Sequence, residues 1–279
     1  MKVHYAIKYA TNFLSEIEDK DYAKWETLII LSYLLNTSPL QVYLYLDKEI
    51  PDNQFFKILS ERKTGKPLPY ILKEAYFWGR KFYIEEGVLI PRQDTETLIS
   101  VFFDLKIEKG KILELGTGSG AISITLLLEK PGLKVFGVEK SVKAIEVSLI
   151  NARKYNVIER FFLIKGDWLD PIYPEPVFKA IVSNPPYISA KEWEKLERDV
   201  RNFEPPDALI AGEKGIEYQE IMIKEADKFL CKKGFLIFEI GYNQSQKIRE
   251  LLEVYKWRYK FYKDLRNYER VVVAWKENT

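Results

Sequence analysis

The sequence predicts an α/β protein in which a mostly parallel β-sheet follows a small helical domain. Up to about residue 73, apolar side chains recur at the three- and four-residue spacing of helices. Beyond Pro91, short apolar strand candidates alternate with helical segments, as is typical of a parallel sheet with helices on both faces. We therefore predict a helical domain at 1–73, a β-hairpin linker at 74–90 and an α/β domain at 91–279.

The helical domain is predicted from apolar periodicity and from the positions of its prolines. Apolar residues recur at helical spacing between residues 13 and 35. Ser38-Pro39 pairs an N-cap residue with a first-turn proline and predicts a short helix through Tyr45. Pro51 predicts the start of another helix, which Gly65-Lys66-Pro67 ends. The apolar faces favour a bundle core, with a groove for a partner as the alternative.

The linker and the sheet are predicted from β-type patterns separated by helices. An aromatic segment at 77–84, followed by 87–90, predicts the strand pair of the linker. Beyond it we predict strands at 111–115, 134–138, 161–164, 178–182, 235–240, 257–262 and 270–274. The predicted helices are 121–129, 142–155, 192–200, 216–230 and 244–254. Because no helix separates the last two strands, one of them is expected to be antiparallel.

The composition excludes several kinds of chemistry. The chain has one histidine, His4, and one cysteine, Cys231, so a Ser-His-Asp triad, a cysteine zinc site and an internal disulfide are not expected. A net charge of +2 gives little support to nucleic-acid binding. No apolar run approaches the roughly 20 residues of a membrane span, and the first residues lack an apolar signal core. We expect a cytoplasmic protein without a metal or a membrane partner.

A cofactor site is predicted from polar and glycine residues at successive strand ends. The first strand of the α/β domain is followed by a glycine-rich loop, whose residues are Glu114, Gly116, Thr117, Gly118, Ser119 and Gly120. Glycines permit sharp turns and the close approach of a ligand. Glu139 ends the second strand, where an acid suits both hydroxyls of a ribose, and Asp167-Trp168 follow the third, where they suit an adenine. The alternatives are a tight turn, a solvated acid and a half-buried aromatic.

The segment Asn184-Pro185-Pro186-Tyr187 follows the fourth strand and suits a planar NH2 group. The side-chain carbonyl of Asn184 and the backbone carbonyl of Pro185 can each accept one of its hydrogens, and Tyr187 can stack on its plane. In an open α/β sheet the carboxyl ends of the strands share one crevice, so Asn184 would also border the cofactor. These residues leave bases and amides equally open as targets.

The combination resembles class I S-adenosylmethionine-dependent methyltransferases, which have a Rossmann-like fold. Over nearly the whole chain it is similar to the protein-(glutamine-N5) methyltransferases that act on peptide-chain release factors. The segments that carry this resemblance are 65–72, 77–78, 90–96, the glycine loop, 183–188, 203–205 with 208–209 and Gly212, and 238–241. This sequence departs from the family pattern at Glu139, where an Asp is usual, and after Asp264, where the usual glycine is missing.

The resemblance implies methyl transfer from S-adenosylmethionine to the glutamine of the Gly-Gly-Gln loop in class 1 release factors. It implies that Asn184, Pro185 and Tyr187 are catalytic, and that with Pro186 they bind the substrate amide. It also implies that the helical domain recognises the substrate and that the protein acts as a monomer without stable nucleic acid.

Three further residues are expected near the substrate. Arg92 and Thr95 lie in a segment expected near the methionine end of the cofactor, although the segment could instead be a helix N-terminus capped by Asp94. Glu204 is expected to line the substrate entrance, with a loop anchor as its alternative. Two other functions stay open, namely methylation of a base amino group (adenine N6 or guanine N2) and a non-catalytic binding module.

Overall fold

The computed structural model describes residues 1–277 and divides the chain into two compact units. The first unit runs from Met1 to Glu74, and the second begins at Ala75. The last two residues of the predicted domain at 91–279 lie outside the described residues.

The first unit is helical. Its helices are α1 (Val3–Leu14), α2 (Lys20–Leu35), α3 (Asp52–Lys63) and α4 (Leu68–Leu72), with a 3-10 helix at Leu40–Tyr45. Their apolar faces form one buried core, which includes Leu14, Leu31 and Phe55. Arg62 of α3 is buried as well and donates to both carboxylate oxygens of Glu26 on α2, at 3.0 Å each. Among the residues whose spacing predicted helices, Leu28 and Leu31 are buried in this core, whereas Ile17 and Trp25 are exposed.

One local prediction for this unit was wrong and another is confirmed. The short helix predicted through Tyr45 is present as the 3-10 helix, but Ser38 does not cap it through its side chain; the Ser38 backbone N–H donates instead to Gln41 Oε1 at 3.3 Å. The helix predicted to begin at Pro51 and to end at Gly65-Lys66-Pro67 is confirmed as α3, and the separate short helix α4 follows that segment.

The hairpin is shifted relative to its prediction. Strands β1 (Glu74–Phe77) and β2 (Arg80–Tyr83) form a two-stranded sheet, joined by Trp78 and Gly79 with φ angles of 51° and 67°. Residues 87–90 form no strand, since Val88 N–H closes a turn onto Glu85 O at 3.1 Å. The predicted pairing failed because Phe77 ends the first strand instead of starting it.

The second unit is built on a seven-stranded sheet. Its strands are β3 (Lys109–Leu115), β4 (Gly132–Glu139), β5 (Phe161–Lys165), β6 (Phe178–Ser183), β9 (Leu230–Glu239), β10 (Arg258–Lys263) and β11 (Glu269–Trp275). The strand order is β10-β11-β9-β6-β3-β4-β5. Strands β5, β4, β3, β6 and β9 pair in parallel, and β11 pairs antiparallel with both β9 and β10. The expected antiparallel strand is confirmed.

Helices cover both faces of this sheet. They are α5 (Glu96–Asp104), α6 (Ala121–Glu129), α7 (Val142–Lys154), α8 (Ala190–Trp193), α9 (Arg198–Phe203), α10 (Glu217–Glu225) and α11 (Ser245–Val254). Successive residues of β3 point to opposite faces of the sheet and belong to different hydrophobic cores. Ile112 packs with α5 and α6, whereas Leu113 packs with α10 and α11. None of the helices within residues 1–277 is both long and apolar enough to span a membrane.

Two predicted helices of this unit were wrong in extent, and one pair of strands was missed. The helix predicted at 192–200 is broken into α8 and α9. The helix predicted at 216–230 ends earlier, because β9 already begins at Leu230. The missed strands are β7 (Ile188–Ser189), which directly follows the Asn-Pro-Pro-Tyr segment, and β8 (Ile210–Gly212), and they form a small parallel pair.

Candidate active site

The register of the central strands brings the predicted site residues to one edge of the sheet. Leu115 at the end of β3 pairs with Val138 of β4 and with Ser183 of β6. The Ser183 hydroxyl donates to Leu115 O at 2.7 Å and ties the two strand ends together. The glycine loop, Glu139 and the Asn-Pro-Pro-Tyr segment therefore start side by side, as the strand alternation predicted.

The glycine loop leaves room at the sheet edge. The backbone N–H groups of Gly116 and Thr117 donate to Val138 O at 3.0 and 3.3 Å, which holds the loop against β4. Gly116 and Gly118 have φ angles of 74° and 56°, which L side chains rarely adopt. A Cβ built on either residue would meet no atom within 4 Å. The protein leaves this space open, as a bound cofactor requires.

Glu139 is fixed in a position from which it can accept further hydrogen bonds. Its Oε2 accepts from Gly118 N–H and its Oε1 from Ser141 N–H, both at 2.8 Å. Each carboxylate oxygen has two lone pairs, so both retain capacity for a hydroxyl donor. The residues present thus fit a ribose at this strand end, although the acid is Glu where the family usually has Asp.

Glu114 is buried at the end of β3. Ser123 of α6 donates to its Oε2, and burial raises the pKa of this carboxyl to about 8, with a further contribution from the charge of Glu139. At neutral pH it therefore retains its proton in most molecules.

The predicted adenine residues, Asp167 and Trp168, lie after β5. Asp167 Oδ2 accepts from Lys140 Nζ at 2.8 Å, and the Trp168 ring stacks on Tyr218 with centroids 4.3 Å apart. The three side chains Asp167, Trp168 and Tyr218 line one open cavity. The sequence interpretation did not include Tyr218. The role of these residues toward an adenine stays a prediction.

A second cavity unites predicted cofactor and substrate residues. Its lining includes Arg92, Thr95, Glu114, Gly118, Ser119 and Asn184. The segment after the hairpin, the glycine loop and the start of the Asn-Pro-Pro-Tyr segment therefore face one space. No group of three or more His, Cys, Asp or Glu in residues 1–277 is arranged to hold a metal ion.

The Asn-Pro-Pro-Tyr segment is held from both ends. Asn184 Nδ2 donates to Thr95 Oγ1 at 2.9 Å. At the other end, Gln244 Nε2 donates to Tyr187 O and to Gly215 O, each at 2.8 Å. Pro185 is buried and Pro186 half-buried between these anchors. The segment is consequently a fixed element.

A buried acid lies close to Tyr187. Burial raises the pKa of the Tyr187 hydroxyl, and the charge of Glu239 raises it further. Glu239, the last residue of β9, accepts from Thr95 Oγ1 at 2.7 Å and is itself fully buried. Neither Glu239 nor Gln244 was assigned a role from the sequence, although Glu239 lies in one of the segments that carry the family resemblance.

Arg92 and Glu204 form an ion pair at 2.5 Å in which the Glu204 side chain is 2% exposed. This contact fits the alternative in which Glu204 anchors a loop, and it connects that loop to the segment after the hairpin. The alternative in which Asp94 caps a helix was wrong: Asp94 instead lies 3.3 Å from Arg270, and the short 3-10 helix at Gln93–Thr95 has no side-chain cap.

Solved structures of low sequence identity share this fold. A methyltransferase from Pyrococcus furiosus aligns with a TM-score of 0.52 at 19% identity, over 80% of this chain and 98% of its own. The catalytic domain of hMettl16, solved in complex with the MAT2A 3'UTR hairpin 6, aligns with a TM-score of 0.56 at 14% identity, over 81% and 82%. These likenesses establish the class I methyltransferase fold.

Sequence comparisons are more specific. Residues 5–72 match the family model described as the PrmC N-terminal domain, and residues 92–200 match the methyltransferase small domain. A release factor glutamine methyltransferase of Aquifex aeolicus (strain VF5) is 39% identical over 88% of this chain and 89% of its own length. One of Bacillus anthracis is 35% identical over 91% of both proteins. A bifunctional methyltransferase of Rickettsia prowazekii is 34% identical over 88% of this chain, which spans 52% of that larger protein.

The methyltransferase domain match and the fold agree with the open glycine loop and the hydrogen-bonded Glu139 at the sheet edge. The chain is a methyltransferase, and S-adenosylmethionine is its methyl donor. Since relatives at 35–39% identity match across both the helical and the α/β part, the chain belongs to the release factor glutamine methyltransferase family.

Proposed function

We propose that this protein methylates the side-chain amide nitrogen, N5, of the glutamine in the Gly-Gly-Gln loop of class 1 peptide-chain release factors. The observation that carries the proposal is the position of Asn184. Its amide borders the same cavity as the glycine loop and is fixed there by Thr95. A planar NH2 group of a substrate can thus be held next to the cofactor.

The chemistry requires orientation more than it requires a base. The bound cofactor supplies an electrophilic methyl group. An amide nitrogen is a poor nucleophile because its lone pair is delocalised. Asn184 Oδ1 and the Pro185 carbonyl accept the two amide hydrogens, which directs the nitrogen and stabilises positive charge as it develops. Such positioning can contribute several kcal/mol, on the order of 7–11 at most.

The neighbouring Tyr187 acts through its ring. Because burial and Glu239 raise the pKa of its hydroxyl, Tyr187 keeps its proton at neutral pH and is a poor general base. Its ring packs on the substrate amide in this proposal, and Pro186 stiffens the segment. The excess proton leaves to water after the transfer.

Roles at the other site residues complete the proposal. The glycine loop surrounds the methionine part of the cofactor, and Glu114 lies beneath it. The loop residues are Gly116, Thr117, Gly118, Ser119 and Gly120. Glu139 binds the ribose, and Asp167 and Trp168 bind the adenine.

The helical domain at 1–73 recognises the release factor, the linker at 74–90 joins it to the catalytic domain, and the protein acts in translation termination. We place it in the cytoplasm, as a monomer, without stable nucleic-acid or membrane partners. The net charge of only +2 supports the absence of a stable nucleic-acid partner.

The direct test is mass spectrometry of a purified class 1 release factor after incubation with the enzyme and S-adenosylmethionine. One added CH2 is expected on the loop glutamine. A release factor whose loop glutamine is replaced by alanine should gain nothing. Labelling of that glutamine-less factor at an equal rate would refute the proposed target.

A further inference from the structure

A chain of hydrogen bonds runs from the substrate side of the site into the protein interior. Asn184 Nδ2 donates to Thr95 Oγ1 at 2.9 Å, and Thr95 Oγ1 donates to Glu239 Oε2 at 2.7 Å. Thr95 is 4% exposed, and Glu239 is fully buried. Water therefore has little access to the two inner groups, and their partners must come from the protein.

The number of available protons determines the direction of every bond in this chain. An ionised carboxylate can only accept, so Thr95 must give Glu239 the single proton of its hydroxyl. Thr95 can then only accept from Asn184, and this requires Asn184 Nδ2, rather than Oδ1, to face it. The amide oxygen of Asn184 is left on the opposite side of the planar group, free to accept from a substrate NH2.

We propose that Glu239 is a positioning residue that, through Thr95, sets the orientation of the Asn184 amide and so makes it an acceptor for the substrate. The inference deepens the proposed function and rests on it, because an acceptor at Asn184 is what a glutamine NH2 group requires. It also reassigns Thr95 from a substrate contact to a relay between Glu239 and Asn184.

The opposite orientation becomes available when Glu239 is protonated. A neutral carboxyl can donate to Thr95 Oγ1, which frees the Thr95 hydroxyl to donate to Asn184 Oδ1. Asn184 would then turn its NH2 toward the substrate NH2, and two donors would face each other. The site should therefore work with the carboxylate and fail with the carboxylic acid.

The surroundings of Glu239 raise the pKa of its carboxyl toward neutral pH, where enzyme activity can be measured. Burial raises the pKa of its carboxyl to about 7, against the opposing effects of Thr95, Arg270 and Tyr187, while Asp94 raises it slightly. Arg270 also pairs with Asp94 and Asp264 at 3.3 and 3.2 Å, so its charge is shared. The second oxygen of Glu239, Oε1, has no hydrogen-bond partner among the described residues.

The kinetic test compares isosteric and conservative variants. Thr95→Val removes the relay and should lower kcat about 100-fold, the usual scale for a misplaced reacting group, with cofactor affinity unchanged. Thr95→Ser keeps the hydroxyl and should restore kcat to within about threefold of the wild type. The matched control is Thr125→Val, an equally buried threonine whose hydroxyl has no hydrogen-bond partner within residues 1–277; its kcat should not change.

The pH dependence gives a readout that a purely structural role would not affect. The wild-type kcat should fall as the pH drops through about 7. Glu239→Gln, which cannot titrate, should lose this acid limb. Equal acid limbs in both proteins would overturn the inference.

A spectroscopic test does not depend on catalytic activity. In protein labelled with ¹⁵N-asparagine, the Asn184 side-chain NH2 resonances can be identified by their absence in Asn184→Ala. They should shift between pH 6 and 8 in the wild type and stay constant in Glu239→Gln. Resonances that do not titrate in the wild type would refute the relay. A titrating amide in an enzyme that leaves the release-factor glutamine unmodified would instead refute the proposed function alone.

Discussion

At the scale of single residues, Asn184 combines a fixed amide with a place beside the glycine loop. Asn184→Ala removes the acceptor while leaving the backbone of the segment anchored by Gln244. We expect kcat for release-factor methylation to fall by roughly 10²–10³, the cost of removing one preorganised hydrogen-bonding group at a reacting centre. Stopped-time assays with labelled cofactor would measure this kcat. Asn243→Ala, at an exposed asparagine whose Nδ2 donates to Glu192 Oε1, should keep wild-type kcat; equal losses in both variants would contradict the role of Asn184.

Also at this scale, the buried Glu114 makes stability depend on pH. Its pKa is about 8 in the folded protein against an ordinary 4.5, so between these values the folded state holds a proton that the unfolded state has lost. The free energy of unfolding should therefore fall as pH rises through that window, by up to about 1.4 kcal/mol per pH unit from this group. Glu114→Gln should remove this share of the slope.

Urea unfolding of the cofactor-free protein at a series of pH values would measure the slope. Glu239, whose pKa is also raised, contributes in the same direction, so the difference between the wild type and Glu114→Gln isolates Glu114. Parallel curves for the wild type and Glu114→Gln would show that Glu114 stays ionised in the fold.

At the scale of elements, the glycine loop can be tested against a turn with the same backbone geometry. Gly116 and Gly79 have φ angles of 74° and 67°, and a Cβ on either would meet no atom within 4 Å. Alanine at each position should lower the free energy of unfolding by about 1–2 kcal/mol, the cost of a left-handed conformation for an L residue. Only Gly116→Ala adds a methyl group to the space proposed for the cofactor.

Calorimetric titration with S-adenosylhomocysteine would separate the two effects. Gly116→Ala should bind at least tenfold more weakly than the wild type, a difference of about 1.4 kcal/mol, and Gly79→Ala should bind normally. Equal binding by both variants would place the cofactor away from Gly116.

The elements also show what the sequence could and could not predict. The carboxyl ends of parallel strands lie at one edge of a sheet. The alternation of strands and helices in the sequence was therefore enough to predict that the glycine loop, Glu139 and Asn184 lie close together. The break between α8 and α9 was not predictable, because the helical periodicity at 192–200 continues across it. The Thr95–Glu239 bond was also hidden, since its partners lie 144 positions apart and hydrogen bonding carries no periodic signal. The same holds for Gln244, which reaches Tyr187 across 57 positions.

At the scale of the whole molecule, the two units differ in the apolar surface that they expose. Within the described residues, eleven large apolar side chains are exposed on the unit that ends at Glu74, against ten on the much longer remainder. Exposed apolar surface of this kind is typical of protein-binding regions. Leu40 and Leu44, which are 73% and 77% exposed, contribute little to the core of their unit.

If the helical unit recognises the release factor, the Leu40→Ser/Leu44→Ser double variant should raise KM for the intact release factor, because two apolar contacts are lost from the proposed interface. About 1 kcal/mol per contact corresponds to roughly fivefold in KM for each leucine. The kcat at saturation and the affinity for S-adenosylhomocysteine should not change, since the site lies wholly within the second unit. Leu265→Ser removes a still more exposed leucine from the second unit and should leave KM unaltered. An unchanged KM in the double variant would mean that these leucines lie outside the recognition surface, whereas a loss of kcat with unchanged KM would show that the helical unit acts on catalysis instead.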